Sequence, residues 1–151
     1  MRIISHRGNL TGKNEELENH PIQIEEILKL GYDVECDIRC IDYKLYLGHD
    51  EPQYEIPLRF LESDRILFHC KNKAALEIFY ELHVPAHFFW HEEDQYTLTS
   101  LGYPIIYPGK DIVKRGILMY RPEDQYTQLE IDKLSAVCLD DLESFKKLFQ
   151  I

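Results

Sequence analysis

The chain has 151 residues, 44% of them hydrophobic and 12% aromatic, with a formal net charge of −10. That length bounds a single domain, residues 1–151, with a core large enough to need no disulfides. An acidic surface repels nucleic-acid phosphates and anionic membranes, so neither is expected as a partner, and an anionic substrate needs a metal ion or placed cations. No run approaches the ~20 apolar residues of a membrane span, and no charged-then-apolar leader opens the chain, so the expected location is cytoplasmic. The four cysteines, Cys36, Cys40, Cys70 and Cys138, form no CxxC pair and read as buried free thiols.

The first strand covers residues 2–5, and a polar stretch runs from Gly8 to His20. Pro21 opens a helix whose apolar stripe is Ile22, Ile24, Ile27, Leu28 and Leu30, with Gly31 as its stop. A second strand spans 32–39, Asp42-Tyr43 forms a turn, and a third strand spans 44–48. A loop reaches Ile56, and residues 57–61 form a short helix. Residues 65–70 read as a strand, and Asn72 caps a helix from Lys73 to Leu82 with Ala75, Leu76, Phe79 and Leu82 inward. Further strands fall at 87–90, 104–107, 117–120 and 136–139, and a helix spans 142–149.

Short apolar runs separated by helical patterns argue for a parallel sheet with crossover connections. A complete eight-fold barrel takes about 250 residues. Here the connections from Trp90 to Ile105 and from Tyr107 to Ile117 are too short for full helices. The expected fold class is therefore α/β, a compact, pared-down TIM-barrel-like fold with some helices missing. An open doubly wound sheet is the alternative, but the Gly8–Gly12 segment lacks dinucleotide-binding spacing.

Chemistry-bearing residues collect at strand exits, where an α/β barrel gathers its site. His6-Arg7-Gly8 follows the first strand, Glu35-Cys36-Asp37 lies in the second, and His49-Asp50 follows the third. Strand side chains alternate, so Glu35 and Asp37 share one face and Cys36 takes the other. Two inward carboxylates are costly without a cation, and a hard divalent ion is the economical partner. The competing interpretation is a solvated acidic strand face. His6 and His49 have the titration range for an acid–base pair. Arg7 would contact phosphate or pair with the acids, and Gly8 permits a sharp turn. The segment Trp90-His91-Glu92 is read either as a contribution to the site or as a core aromatic followed by an acidic turn.

The order HRG, then E-x-D, then HD resembles the glycerophosphodiester phosphodiesterase family, within the phospholipase C-like phosphodiesterases. The match is dense over residues 3–50 and loose afterwards. The resemblance implies a TIM barrel with His6 and His49 as the catalytic pair and Glu35 and Asp37 as ligands of Mg²⁺ or Ca²⁺. The family's Glu-Asn-Thr motif looks like Glu18-Asn19-His20 here. Its late Thr-Asp strand end is echoed by Asp140 after Val137-Cys138-Leu139. The family's third acidic ligand, from an E-x-K strand end, is His69 in this chain, while Lys71 is retained. An imidazole in the metal shell shifts preference toward Mn²⁺ or Zn²⁺ relative to Ca²⁺, and Lys71 joins Arg7 as a phosphate contact.

The expected function is metal-dependent hydrolysis of a small-molecule, lipid or glycan phosphodiester. The alternative is a non-catalytic module on the same fold that binds metal or a phosphate ligand. Missing helices would expose sheet surface and leave room for a homodimer.

Overall fold

Proline and short polar side chains set where the helices begin. The computed structural model describes residues 1–151. It has strands β1 (Arg2–His6), β2 (Asp33–Ile41), β3 (Lys44–Leu47), β4 (Tyr54–Ile56), β5 (Ile66–Cys70), β6 (His87–Trp90), β7 (Tyr96–Leu98), β8 (Pro104–Ile106), β9 (Ile117–Met119) and β10 (Ala136–Leu139). Helices are α1 (Pro21–Lys29), α2 (Lys73–Leu82), α3 (Gln128–Ile131) and α4 (Leu142–Phe149), with a 3-10 turn at Leu58–Glu62. Pro21 opens α1, Asn72 accepts from the Ala75 N–H to cap α2, and Asp141 does the same for α4 through Ser144.

The fold is mixed α/β on a ten-stranded sheet. Seven strands run parallel in the order β6-β5-β2-β1-β10-β9-β8. The hairpin β3–β4 extends β2, and β7 is antiparallel to β8. The sheet is not closed: no ladder joins β6 to β8. Hydrogen bonds from the β7 segment bridge that seam instead. The Ser100 N–H donates to the Phe88 carbonyl at 2.7 Å, and the Thr97 hydroxyl to the Trp90 carbonyl at 3.0 Å.

Three apolar clusters hold the layers together. One packs α1 and α2 against β2 and β5, with Ile24, Ile27, Phe68 and Phe79 at its centre. A second packs α4 against β9 and β10 through Leu118, Val137, Leu142 and Phe145. The third joins inward residues of six parallel strands: Ile4, Leu67, Phe89, Ile105, Ile117, Ala136 and Cys138. The two ends of the parallel run, β6 and β8, thus contribute to one cluster although no ladder connects them.

The long elements fall where the sequence places them, within one or two residues. The connection from β8 to β9 carries no helix, and that from β6 to β8 carries only β7. Three elements of three or four residues, β4, β7 and α3, carry too little periodicity to be read. The apolar stripes need correction at their ends. Ile22 and Leu30 are 65% and 60% exposed, in the first turn and at the C-cap of α1, outside the central turn that buries Ile24 and Ile27. In α2, Leu82 is exposed and Ile78 is buried in its place. All four cysteines are free and buried. No helix is long and apolar enough to cross a membrane.

Asn72 links two elements at once. Beyond capping α2, its side chain accepts from the Cys40 N–H at 3.1 Å and donates to the Cys40 carbonyl at 2.9 Å. Replacing it with alanine removes the cap and strips both partners from a buried strand residue. Asn72→Ala is expected to lower unfolding free energy by about 2–3 kcal/mol in urea titrations. A loss under about 0.5 kcal/mol would contradict the linking role.

Candidate functional site

β2 organises the site through one of its edges. That edge pairs with β1 over Asp33–Glu35 and with β3 from Ile38 onward, while β5 occupies the other edge. Where β1 ends, the Arg7 N–H donates to the Glu35 carbonyl at 2.8 Å. Where β3 ends, the Gly48 N–H donates to the Asp37 carbonyl at 3.1 Å. The exits of β1 and β3 therefore lie two residues apart along β2, and His6 and His49 line one cleft of about 230 Å³. Glu35, His69 and Lys71 line the same cleft, with Phe89, His91 and Tyr107 opposite.

The turns that make these exits are conformationally demanding. Arg7 and Gly8 both have positive φ, 54° and 86°, so the chain leaves β1 abruptly. At Gly48 a Cβ would fall 2.0 Å from the Glu51 carbonyl oxygen, so only glycine fits beside His49. Arg39 secures this loop by donating to the carbonyls of Gly48 and His49.

Glu35 and Asp37 are almost fully buried, on the inward face, as alternation requires. Cys36 faces the outer cluster. His69, adjacent on β5, puts Nδ1 3.3 Å from Asp37 Oδ1 and 3.8 Å from Glu35 Oε1. Its Nε2 lies 3.2 Å from the His91 carbonyl oxygen, which can only accept. That contact requires a proton on Nε2; Nδ1, facing the carboxylates, shares a proton with Asp37 when the ring is charged and offers a lone pair when it is neutral. Ligand atoms of Glu35, Asp37 and His69 lie within 4.8 Å of one another. Glu35 Oε2 and Asp37 Oδ1 are buried without a hydrogen-bond partner. Two orphaned carboxylate oxygens and an imidazole lone pair are a donor set that fits a divalent cation. Burial and the adjacent Asp37 push the Glu35 carboxyl up. Burial would also raise Asp37, but His69, Arg7 and Asn19 outweigh it and hold that carboxyl well below its ordinary range.

Arg7 does not stand free. Its Nη1 lies 3.1 Å from Glu18 Oε2, and its Nε lies 3.0 Å from Asp37 Oδ2, off-line for a hydrogen bond. Of the two roles open to it, pairing with the acids is the one its contacts describe. Lys71 sits on the rim of the cleft. Glu18 and Asn19 join the network. The Asn19 side chain donates to Asp37 Oδ2 at 2.9 Å and accepts from the Asp37 N–H at 2.8 Å, with a left-handed backbone (φ 60°) of the kind asparagine tolerates.

His6 Nδ1 lies 2.9 Å from Asp140 Oδ1, and Nε2 lies 3.8 Å from Glu35 Oε2. Asn9 donates to both Asp140 and Glu18, at 2.8 and 3.1 Å. Asp140 was legible only as an echo of a strand-end motif, and Asn9 carries no sequence signal, since an asparagine after a turn glycine is ordinary loop chemistry. His49 Nδ1 lies 2.8 Å from Asp50 Oδ1. His91 stacks on Tyr107 with ring centroids 3.5 Å apart, so this histidine forms a wall of the cleft. Glu92 also lines the cleft.

No family model, curated protein or solved structure matches this chain.

Burial disfavours a charged His6, but the Asp140 hydrogen bond and the Glu35 and Asp140 charges outweigh it, and the net shift is upward. Asp140 is correspondingly lowered, its own burial being outweighed by His6 and Asn9. The sign follows by linkage. His6 contributes stability below its unfolded pKa, lost as pH rises through its folded value. Asp140 contributes above its unfolded pKa, lost as pH falls through its folded value. Asp140→Asn is therefore expected to move the His6 imidazole titration to lower pH, followed by ¹⁵N NMR. An unmoved midpoint would show that Asp140 does not hold the His6 proton.

Proposed function

We propose that this chain is a metal-dependent phosphodiester hydrolase of the glycerophosphodiester phosphodiesterase type, built on a pared-down barrel. The observation that carries the proposal is the meeting, in one cleft, of Glu35 and His69 with two histidines from separate strand exits, while the buried Asp37 lies within ligand distance of Glu35 and His69. Seven parallel strands, six of them sharing one inner cluster, with chemistry at strand C-terminal ends, support the barrel reading.

Glu35, Asp37 and His69 would hold the ion. When bound, a divalent cation supplies charge to offset what builds up on the phosphate oxygens. The protein's own groups do the rest. Asp140 accepts the Nδ1 proton of His6, which fixes that imidazole's tautomer and leaves Nε2 for proton transfer. Asp50 stands in the same relation to His49. One imidazole takes the proton from the attacking hydroxyl, whether water or a neighbouring hydroxyl of the substrate. The other gives a proton to the leaving alcohol. Lys71 on the rim supplies a positive charge for the phosphate, and Arg7 holds Asp37 in register. Acid–base chemistry distinguishes this reading from a binding module, because recognition alone needs no pair of carboxylate-oriented imidazoles.

The test is phosphorus NMR of the protein with glycerophosphocholine, lysophosphatidylcholine and a phosphodiester-linked glycan, each with Mg²⁺, Mn²⁺ and Ca²⁺. A new phosphomonoester or cyclic-phosphate resonance is expected with at least one pairing. His6→Ala and His49→Ala should each reduce turnover by about a hundredfold or more while circular dichroism stays unchanged. Full activity in either variant would overturn the assignment. No conversion in any pairing would favour the non-catalytic reading.

A further inference from the structure

The inward columns of the strands are polar at both ends. β1 presents Arg2, Ile4 and His6 in turn, and β6 presents His87 and Phe89 before His91. The apolar middle of these columns, including Ile4, Leu67 and Phe89, separates the proposed catalytic cleft from a second cavity at the opposite end of the sheet. That cavity measures about 50 Å³, enough for a small ion or a few waters rather than a large molecule.

His87 lines it. The residue is only 8% exposed, and its Nε2 is buried without any hydrogen-bond partner. An orphaned ring nitrogen of this kind costs free energy unless something outside the chain meets it. Arg2 and Arg65 both place Nε on the single carboxylate of Asp33, at 2.5 and 3.1 Å. Arg65 spends its remaining nitrogens on the carbonyls of Leu28 and Tyr32. Arg2 has no further partner, so its terminal nitrogens are available. Two guanidiniums on one carboxylate leave a net positive charge beside the cavity. Asp64, also on the rim, is exposed, so solvent screens its opposing charge, as it partly screens Arg2, whose side chain is 56% exposed. Tyr103 closes one wall, its ring 5.9 Å from that of His87.

We propose that this cavity is a second ligand site, which takes a small oxyanion held by the Arg2 guanidinium and the His87 Nε2–H. A carboxylate and a phosphate group share the chemistry required: compact, anionic, with acceptor oxygens that suit a guanidinium and a neutral N–H donor. Burial and the neighbouring Arg2 lower the His87 pKa to about 4, which keeps the ring neutral near pH 7. The site stands independently of the proposed hydrolase activity, since none of its residues lines the catalytic cleft.

The experiment is an NMR titration of ¹⁵N-labelled full-length protein with sodium acetate and, separately, sodium phosphate, against sodium chloride at equal ionic strength. The His87 imidazole and Arg2 Nε resonances report this cavity locally, so binding at the catalytic cleft does not confuse the result. Saturable shifts are expected in one arm or both, and the tighter arm identifies carboxylate or phosphate as the ligand. Binding should also raise the His87 pKa, because an adjacent anion favours the charged ring. Arg2→Gln, at a side chain that is half exposed, should weaken binding by about tenfold while the protein stays folded. Shifts no larger than those with chloride, or saturation unchanged in Arg2→Gln, would overturn the proposal and leave the cavity to water.

Discussion

The site rests on the cost of burying Glu35 and Asp37 side by side on one strand face. Two carboxylates removed from water repel each other and lose hydration, so such a pair persists only when compensated. The chain supplies part of that compensation. Arg7 and His69 stand against Asp37, the Asn19 amide bonds to it, and His6 and His69 face Glu35. The compensation stops short of complete, because one oxygen on each carboxylate has no partner. Proteins rarely leave such atoms bare in their interior. The proposed cation between Glu35, Asp37 and His69 would resolve the imbalance with residues already in place.

The backbone serves the same end. β2 runs past the end of β1, and the edge it exposes there is taken up by β3. Two loops with separate origins in the sequence are thereby delivered next to one another, one carrying His6 and the other His49. The left-handed turn at Arg7 and Gly8 and the glycine-only position at 48 are the local strains that make the delivery possible. The connections that lack a helix lie between β6 and β9, away from the exits of β1 and β3. A small chain can omit helices there, because the chemistry depends on strand exits, and the β7 hydrogen bonds hold the seam.

Much of this was legible in the sequence, for physical reasons that also explain the gaps. Alternation along β2 places Glu35 and Asp37 together with Cys36 behind them, and period-two geometry admits no other outcome in a regular strand. Proline and asparagine caps place α1 and α2 to within a residue. What escaped was of two kinds. Elements as short as β4, β7 and α3 owe their existence to tertiary pairing rather than to local pattern. Residues such as Asn9, and to a large extent Asp140, gain meaning only when distant segments meet; their contact with each other spans more than a hundred positions. Arg7 shows a third case. Its proximity to the acids was an open alternative in the sequence, and the geometry of Glu18 and Asp37 describes that role.

The buried carboxylates of β2 are proposed to form, with His69, one divalent-cation site. Calorimetric titration of Mn²⁺ and Mg²⁺ into the protein and into Asp37→Asn tests it most directly. One saturable site is expected in the native chain, with binding weakened by at least about tenfold in the variant. Absence of saturable binding, or binding undiminished in Asp37→Asn, would contradict it.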